Sequence, residues 1–189
     1  MIRKLRTACY IAGIMTLMIG SRIVASEPGA PARNGEAPAF TGEKLDGGIL
    51  RLESLRGHVV LLNFWAVACP PCRIEMPELE KIHRRYAGRG LQVLGVTEMD
   101  PTPGQVRDAI AEMGVTYPIL LDPGAGIASL YGIKAHPTSF VIDAKGIVRF
   151  VNSGYLKGEE IDIEREIRKA LGFKGSTTGA PGAPQTEKP

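Results

Sequence analysis

Cysteine is scarce in this 189-residue chain: there are three, Cys9, Cys69 and Cys72, and Cys9 lies in a leader-like segment. A small secreted scaffold stapled by several disulfides is thereby excluded. Histidine is equally scarce, at three, and no second cysteine pair accompanies Cys69 and Cys72, so the four-ligand set of a structural zinc site is missing. Arg73 stands directly after Cys72, where covalent haem attachment requires histidine. No cofactor is expected. The mature chain also lacks an excess of either charge. Residues 1–26 hold Arg3, Lys4, Arg6 and Arg22 and no acid, which leaves 19 basic against 20 acidic side chains elsewhere. The basic character belongs to the leader, and no nucleic-acid partner is expected.

A long apolar run is missing too. Ala8 to Gly20 is about 13 residues, short of the roughly 20 that a membrane-spanning helix needs. With its basic start and the small residues Val24, Ala25 and Ser26, the segment 1–26 has the layout of a signal peptide. Ser21 to Ala25 can also extend the run into an uncleaved membrane anchor. Either way the chain is expected to be exported, to the periplasm or the outer face of the cytoplasmic membrane. Cys9, preceded by Arg6, Thr7 and Ala8, does not sit in a lipoprotein processing box and reads as apolar filler.

Residues 27–36 are Pro-, Gly- and Ala-rich and read as a flexible linker; 172–189 read as a disordered tail. The folded part is expected at 37–171, without internal repeats. Within it, Ile49–Leu52, His58–Trp65, Leu91–Thr97, Tyr117–Leu121, Thr138–Ile142 and Ile147–Val151 read as strands. A helix begins near Pro71 with the pattern Ile74, Leu79, Ile82, Tyr86, kinked at Pro77 and ended by Gly88 and Gly90. Thr102, Pro103 and Gln105 form a capping-box start for a second helix, which Gly114 stops. A short helix follows near Ala125–Tyr131. A last one spans Glu159–Leu171 and offers Ile161, Ile163, Ile167 and Leu171 for burial. This alternation predicts an α/β sheet covered on both faces, with the cysteines at the carboxyl end of a central strand.

A lone CxxC is a poor staple, because it closes too short a loop to constrain the unfolded chain. Chemistry explains it better. A thiolate at the first turn of a helix is stabilised by the helix's positive end, so Cys69 is the expected nucleophile and Cys72 the resolving thiol. Pro70 and Pro71 lack N–H groups, which makes the Cys72 amide the first donor able to face the Cys69 sulfur. Glu75, three residues past Cys72, shares its helix face and can shuttle its proton; it reads equally as a solvated acid or a partner for Arg73. His83 reads as a surface or satisfied histidine; Glu98 and Asp100, in the loop after the third strand, are within reach of the site but read as solvated acids.

The segment Asn63-Phe64-Trp65-Ala66-Val67-Ala68-Cys69-Pro70-Pro71-Cys72-Arg73-Ile74-Glu75-Met76-Pro77 resembles the thioredoxin-like family, specifically the exported TlpA and ResA type. Ala37-Pro38-Ala39-Phe40, Leu55-Arg56-Gly57 and His136-Pro137-Thr138-Ser139-Phe140-Val141-Ile142-Asp143 fall where that family has them. The resemblance implies a thioredoxin-like fold: a central mixed sheet flanked by helices, with an N-terminal hairpin extension and a helical insert. It implies that Glu75 is the family's active-site helix glutamate and that Pro137 is its cis-proline beside the cysteines. Asn63 replaces the buried Asp that thioredoxins proper often carry. His136 and Ala68 depart from the pattern. His136 is expected either to tune Cys69 or to point to solvent, and with Trp65, Pro70 and Pro71 it completes the expected substrate-facing set. Trp65 is expected to be core and active-site wall at once.

The function implied is a thiol-disulfide oxidoreductase that reduces disulfides of exported proteins, in cytochrome c maturation or a similar task, fed by an upstream membrane dithiol reductant. Two alternatives remain. A peroxide-reducing redoxin fits the Ala37-Pro38-Ala39-Phe40 opening, but Ala66 stands where that chemistry needs Thr or Ser. A copper-delivery protein would use Cys69, Cys72 and His136, soft enough together for Cu(I).

Overall fold

The computed structural model describes residues 30–98 and 101–173. The expected leader with Cys9, residue Asp100 and most of the expected tail lie outside the described residues. Among those described, no helix is long and apolar enough to cross a membrane.

The apolar run before the cysteines becomes β3 (Val59–Trp65), every residue of which is buried. It is buried because it has a strand on each side and a layer on each face: parallel β4 (Leu91–Thr97) and antiparallel β6 (Thr138–Ile142) flank it. Alternation along β3 splits the core in two. Val59, Leu61 and Trp65 pack with Cys72, Met76 and Leu79 of α1 (Pro70–Tyr86) and with Ile163 and Ile167 of α4 (Glu160–Ala170). Val60, Leu62 and Phe64 pack on the other face with Phe140, Tyr131 and Ala128, the last from α3 (Gly126–Leu130).

The remaining strands are β1 (Thr41–Lys44), β2 (Ile49–Arg51), β5 (Ile119–Leu121) and β7 (Val148–Ser153), with α2 (Pro103–Met113) between β4 and β5. The sheet order is β2-β1-β5-β4-β3-β6-β7, parallel through β3, β4 and β5 and antiparallel elsewhere. This is the expected mixed sheet with its hairpin extension, β1 and β2. Residues 34–36, inside the expected linker, are held to the rest: Asn34 N donates to Val148 O at 2.7 Å, and Glu36 bridges to Ile147.

The capping box at Thr102 and Gln105 forms as expected, and Gly114 ends α2 with a left-handed φ of 66°. Helix α1 runs as one element through Pro77, the expected kink. Two isoleucines expected to be buried are not. Ile161 is 60% exposed and Ile74 54%. Each lies two residues, about 200° of helical turn, from a buried neighbour (Ile163, Cys72), so the face that buries one must present the other to water. Gly95 has a definite reason: a Cβ there would stand 2.6 Å from Ile119 Cδ1 and 3.1 Å from Trp65 Nε1. The bare backbone of β4 is what lets Trp65 Nε1 and Ile119 sit this close to it.

Candidate active site

Cys69 is the N-cap of α1, and its sulfur accepts a hydrogen bond from the Cys72 amide at 3.3 Å, the first donor available past the two prolines. The two sulfurs are joined as a disulfide. Their environments differ. Cys69 is half-buried, whereas Cys72 is fully buried within the core cluster that holds Trp65 and Met76. Attack from outside is open only to Cys69.

Glu75 follows one turn later on the same inner face and is 0% exposed. Its Oε2 accepts from Asn63 Nδ2 at 2.8 Å and its Oε1 from Ser139 Oγ at 3.2 Å, while Asn63 Nδ2 also donates to Ser139 Oγ at 2.9 Å. Asn63 and Ser139 face each other across the β3–β6 register, so one step of the ladder supplies both donors. Burial pushes the Glu75 carboxyl up to about 7, against the opposing pull of the hydrogen bonds from Asn63 and Ser139. Glu75 is therefore neither a solvated acid nor a partner for Arg73, which pairs with Glu112 of α2. Its side of the helix faces the sheet, where Asn63 and Ser139 supply its hydrogen bonds.

The model of the AhpC/TSA family matches residues 34–151. The thioredoxin-like protein YneN of Bacillus subtilis is 36% identical over 134 residues, 70% of this chain and 78% of that one. The thiol-disulfide oxidoreductase ResA of Halalkalibacterium halodurans is 34% identical over 139 residues, 73% and 78% of the two chains. A solved thiol:disulfide interchange protein of the thioredoxin family from Chlorobium tepidum superposes with a TM-score of 0.65 at 33% identity, covering 75% of this chain and 99% of that one. The chain belongs to the AhpC/TSA family. It has the thioredoxin-like fold and is a thiol-disulfide oxidoreductase.

The other expected site residues of this AhpC/TSA protein are distributed as follows. The His136–Pro137 peptide is cis and Pro137 is buried, with its carbonyl accepting from Gly154 N at 2.7 Å. Pro70 is exposed and Pro71 half-buried at the start of α1. Trp65 is 0% exposed, so it is a core residue with no surface to offer a substrate. Its place on the last step of β3, covered by α1, leaves it no other position. His83 is half-buried edge-on to Tyr117, and its Nδ1 has no hydrogen-bond partner.

Glu98 overturns its expectation. It is 9% exposed, and its Oε1 lies against His136 Nε2, the two side chains keeping 10% and 18% exposure. It is the first residue of the loop after β4, still close enough to the end of the sheet for His136 to cover it. Among the described residues no three of His, Cys, Asp and Glu gather to hold a metal ion. Sequence reasoning missed Ser139 and Glu98 as site residues. For Ser139 a signal was present, a hydroxyl within a strand otherwise fit for full burial.

Proposed function

We propose that this enzyme reduces disulfides of exported proteins, in cytochrome c maturation or a similar task. Cys69 attacks, Cys72 resolves, and Glu75 takes up and returns the Cys72 proton. The observation that carries this reading is the asymmetry of the pair: a half-exposed Cys69 at a helix N-cap, and a fully buried Cys72 one turn from a buried carboxyl poised near neutrality. A group with that poise gives and accepts a proton with comparable ease.

In each cycle the Cys69 thiolate attacks one sulfur of the substrate disulfide, and a mixed disulfide forms as the second substrate sulfur leaves. The Cys72 thiol loses its proton to Glu75 and its sulfur displaces the substrate, which departs reduced while Cys69 and Cys72 end as a disulfide. A dithiol reductant at the membrane then restores the pair. Ala66, buried and without a hydroxyl, gives no support to peroxide activation, and His136 turned onto Glu98 gives none to a copper site.

The test is the reduction potential of the Cys69–Cys72 couple against glutathione and thioredoxin standards. A strongly reducing value, near or below that of thioredoxin, supports the reductase direction. An oxidising value near that of disulfide-forming enzymes overturns it.

A further inference from the structure

We propose that His136 and Glu98 form a second acid–base unit of this site, in which His136 carries the proton of the outer sulfurs and Glu98 is its positioning residue. The proposal rests on Cys69 being the attacking sulfur.

Thr97, the last residue of β4, stands opposite Trp65, and Thr138, the first of β6, stands opposite Phe64. Glu98 and the His136–Pro137 pair therefore flank, from either side, the segment that leaves β3 for Cys69. Their side chains meet over that end of the strand in the contact already described. A small residue, Ala66, is what the chain places between them.

The contact bears on which ring nitrogen is free. Nε2 of His136 is buried beside the Glu98 carboxylate without a hydrogen bond aligned on it, so the 18% exposure that the side chain keeps belongs to its other atoms. A carboxylate against Nε2 favours the tautomer that holds the proton there and leaves the lone pair on Nδ1. Glu75 is unsuited to the same task. It lies on the α1 side, fully buried and held by Asn63 and Ser139, in the interior with Cys72. The two sulfurs of the cycle thus have separate proton carriers, one internal and one at the rim.

The step balances as a proton relay. His136 Nδ1 takes the proton of the Cys69 thiol and becomes an imidazolium held by Glu98. The Cys69 electron pair forms the bond to one substrate sulfur, the substrate S–S bond breaks, and the departing thiolate takes the proton from Nδ1. The Cys69 sulfur is oxidised, the departing sulfur reduced, and the ring returns neutral.

The test uses two disulfides that differ in their need for that proton. Oxidised glutathione releases a basic alkyl thiolate; dithionitrobenzoate releases an acidic aromatic one that leaves unaided. In a reduced Cys72→Ala background, single-turnover rates are measured with each probe. His136→Gln is expected to lower the ratio of the glutathione rate to the aromatic rate at least about tenfold. Glu98→Gln is expected to lower it in the same direction by less, and to add nothing in a protein already carrying His136→Gln. An unchanged ratio in His136→Gln, whether or not both rates fall together, overturns the proposal, as does a Glu98→Gln effect that persists without His136. His136→Asn and Glu98→Asp provide second versions where a Gln variant does not fold. If Cys72→Ala fails to react while Cys69→Ala reacts, the order of attack is wrong, a separate result from the ratio.

Discussion

Asn63 on β3 donates to Glu75 on α1 at 2.8 Å, so the strand that leads into the disulfide and the helix that leaves it are tied through one buried carboxyl. The bond lowers the pKa that burial raises, and the balance stands at about 7. Without the donors the group would stay protonated throughout the working range; without the burial it would never hold a proton there.

Glu75 makes stability depend on pH. Its folded pKa is raised above the ordinary 4.5, so between 4.5 and about 7 the folded state keeps a proton that the unfolded chain has released. Its contribution to stability is fully present below 4.5 and is lost as pH rises through about 7, a change on the order of 3 kcal/mol. Urea melts of the oxidised protein at pH 5 and 8 are expected to show this fall, and Glu75→Gln to remove it. The same substitution is expected to flatten the pH profile of disulfide exchange. A wild-type slope retained in Glu75→Gln would assign both effects elsewhere.

Asn63→Asp places a second carboxylate against the first in the same dry space. Both cannot ionise there, so the variant is expected to lose about 3–5 kcal/mol at pH 8 and to recover most of it at pH 5. Equal losses at both values would mean that packing, not charge, is disturbed.

The asymmetry of burial predicts the order of attack. Cys69→Ala is expected to abolish turnover, and Cys72→Ala to accumulate a mixed disulfide between Cys69 and substrate, seen as an adduct by mass spectrometry. Adducts found instead on Cys72 in the Cys69→Ala protein would reverse the assignment.

On α4 the two neighbouring isoleucines should separate cleanly. Ile163, at 0% exposure, is expected to cost about 2–4 kcal/mol when changed to Ala. Ile161→Ala, at 60% exposure, is expected to stay within about 0.5 kcal/mol in the same denaturant melts.

The cysteine pair, its helix start and the strand before it were legible because each rests on local rules. A run of apolar residues needs burial, proline suits a helix's first turn, and a thiolate suits its N-terminus. The capping box at Thr102 and Gln105 was legible for the same reason, since its partners lie three residues apart. Helix faces were less so. Ile74 and Ile161 are apolar and regularly spaced, yet which side of a helix meets the sheet depends on where the sheet is.

By itself, then, the amino-acid order determined an α/β fold with a reactive dithiol at the end of a central strand. Only the tertiary structure decided how protons are handled around it. Asn63 and Glu75 are 12 residues apart, Asn63 and Ser139 are 76, and Glu98 and His136 lie in separate loops, one after β4 and one before β6. The environment of a charge is the sum of what packs against it from every side, and strand register, which brings those sides together, is a property of the whole sheet rather than of any one segment.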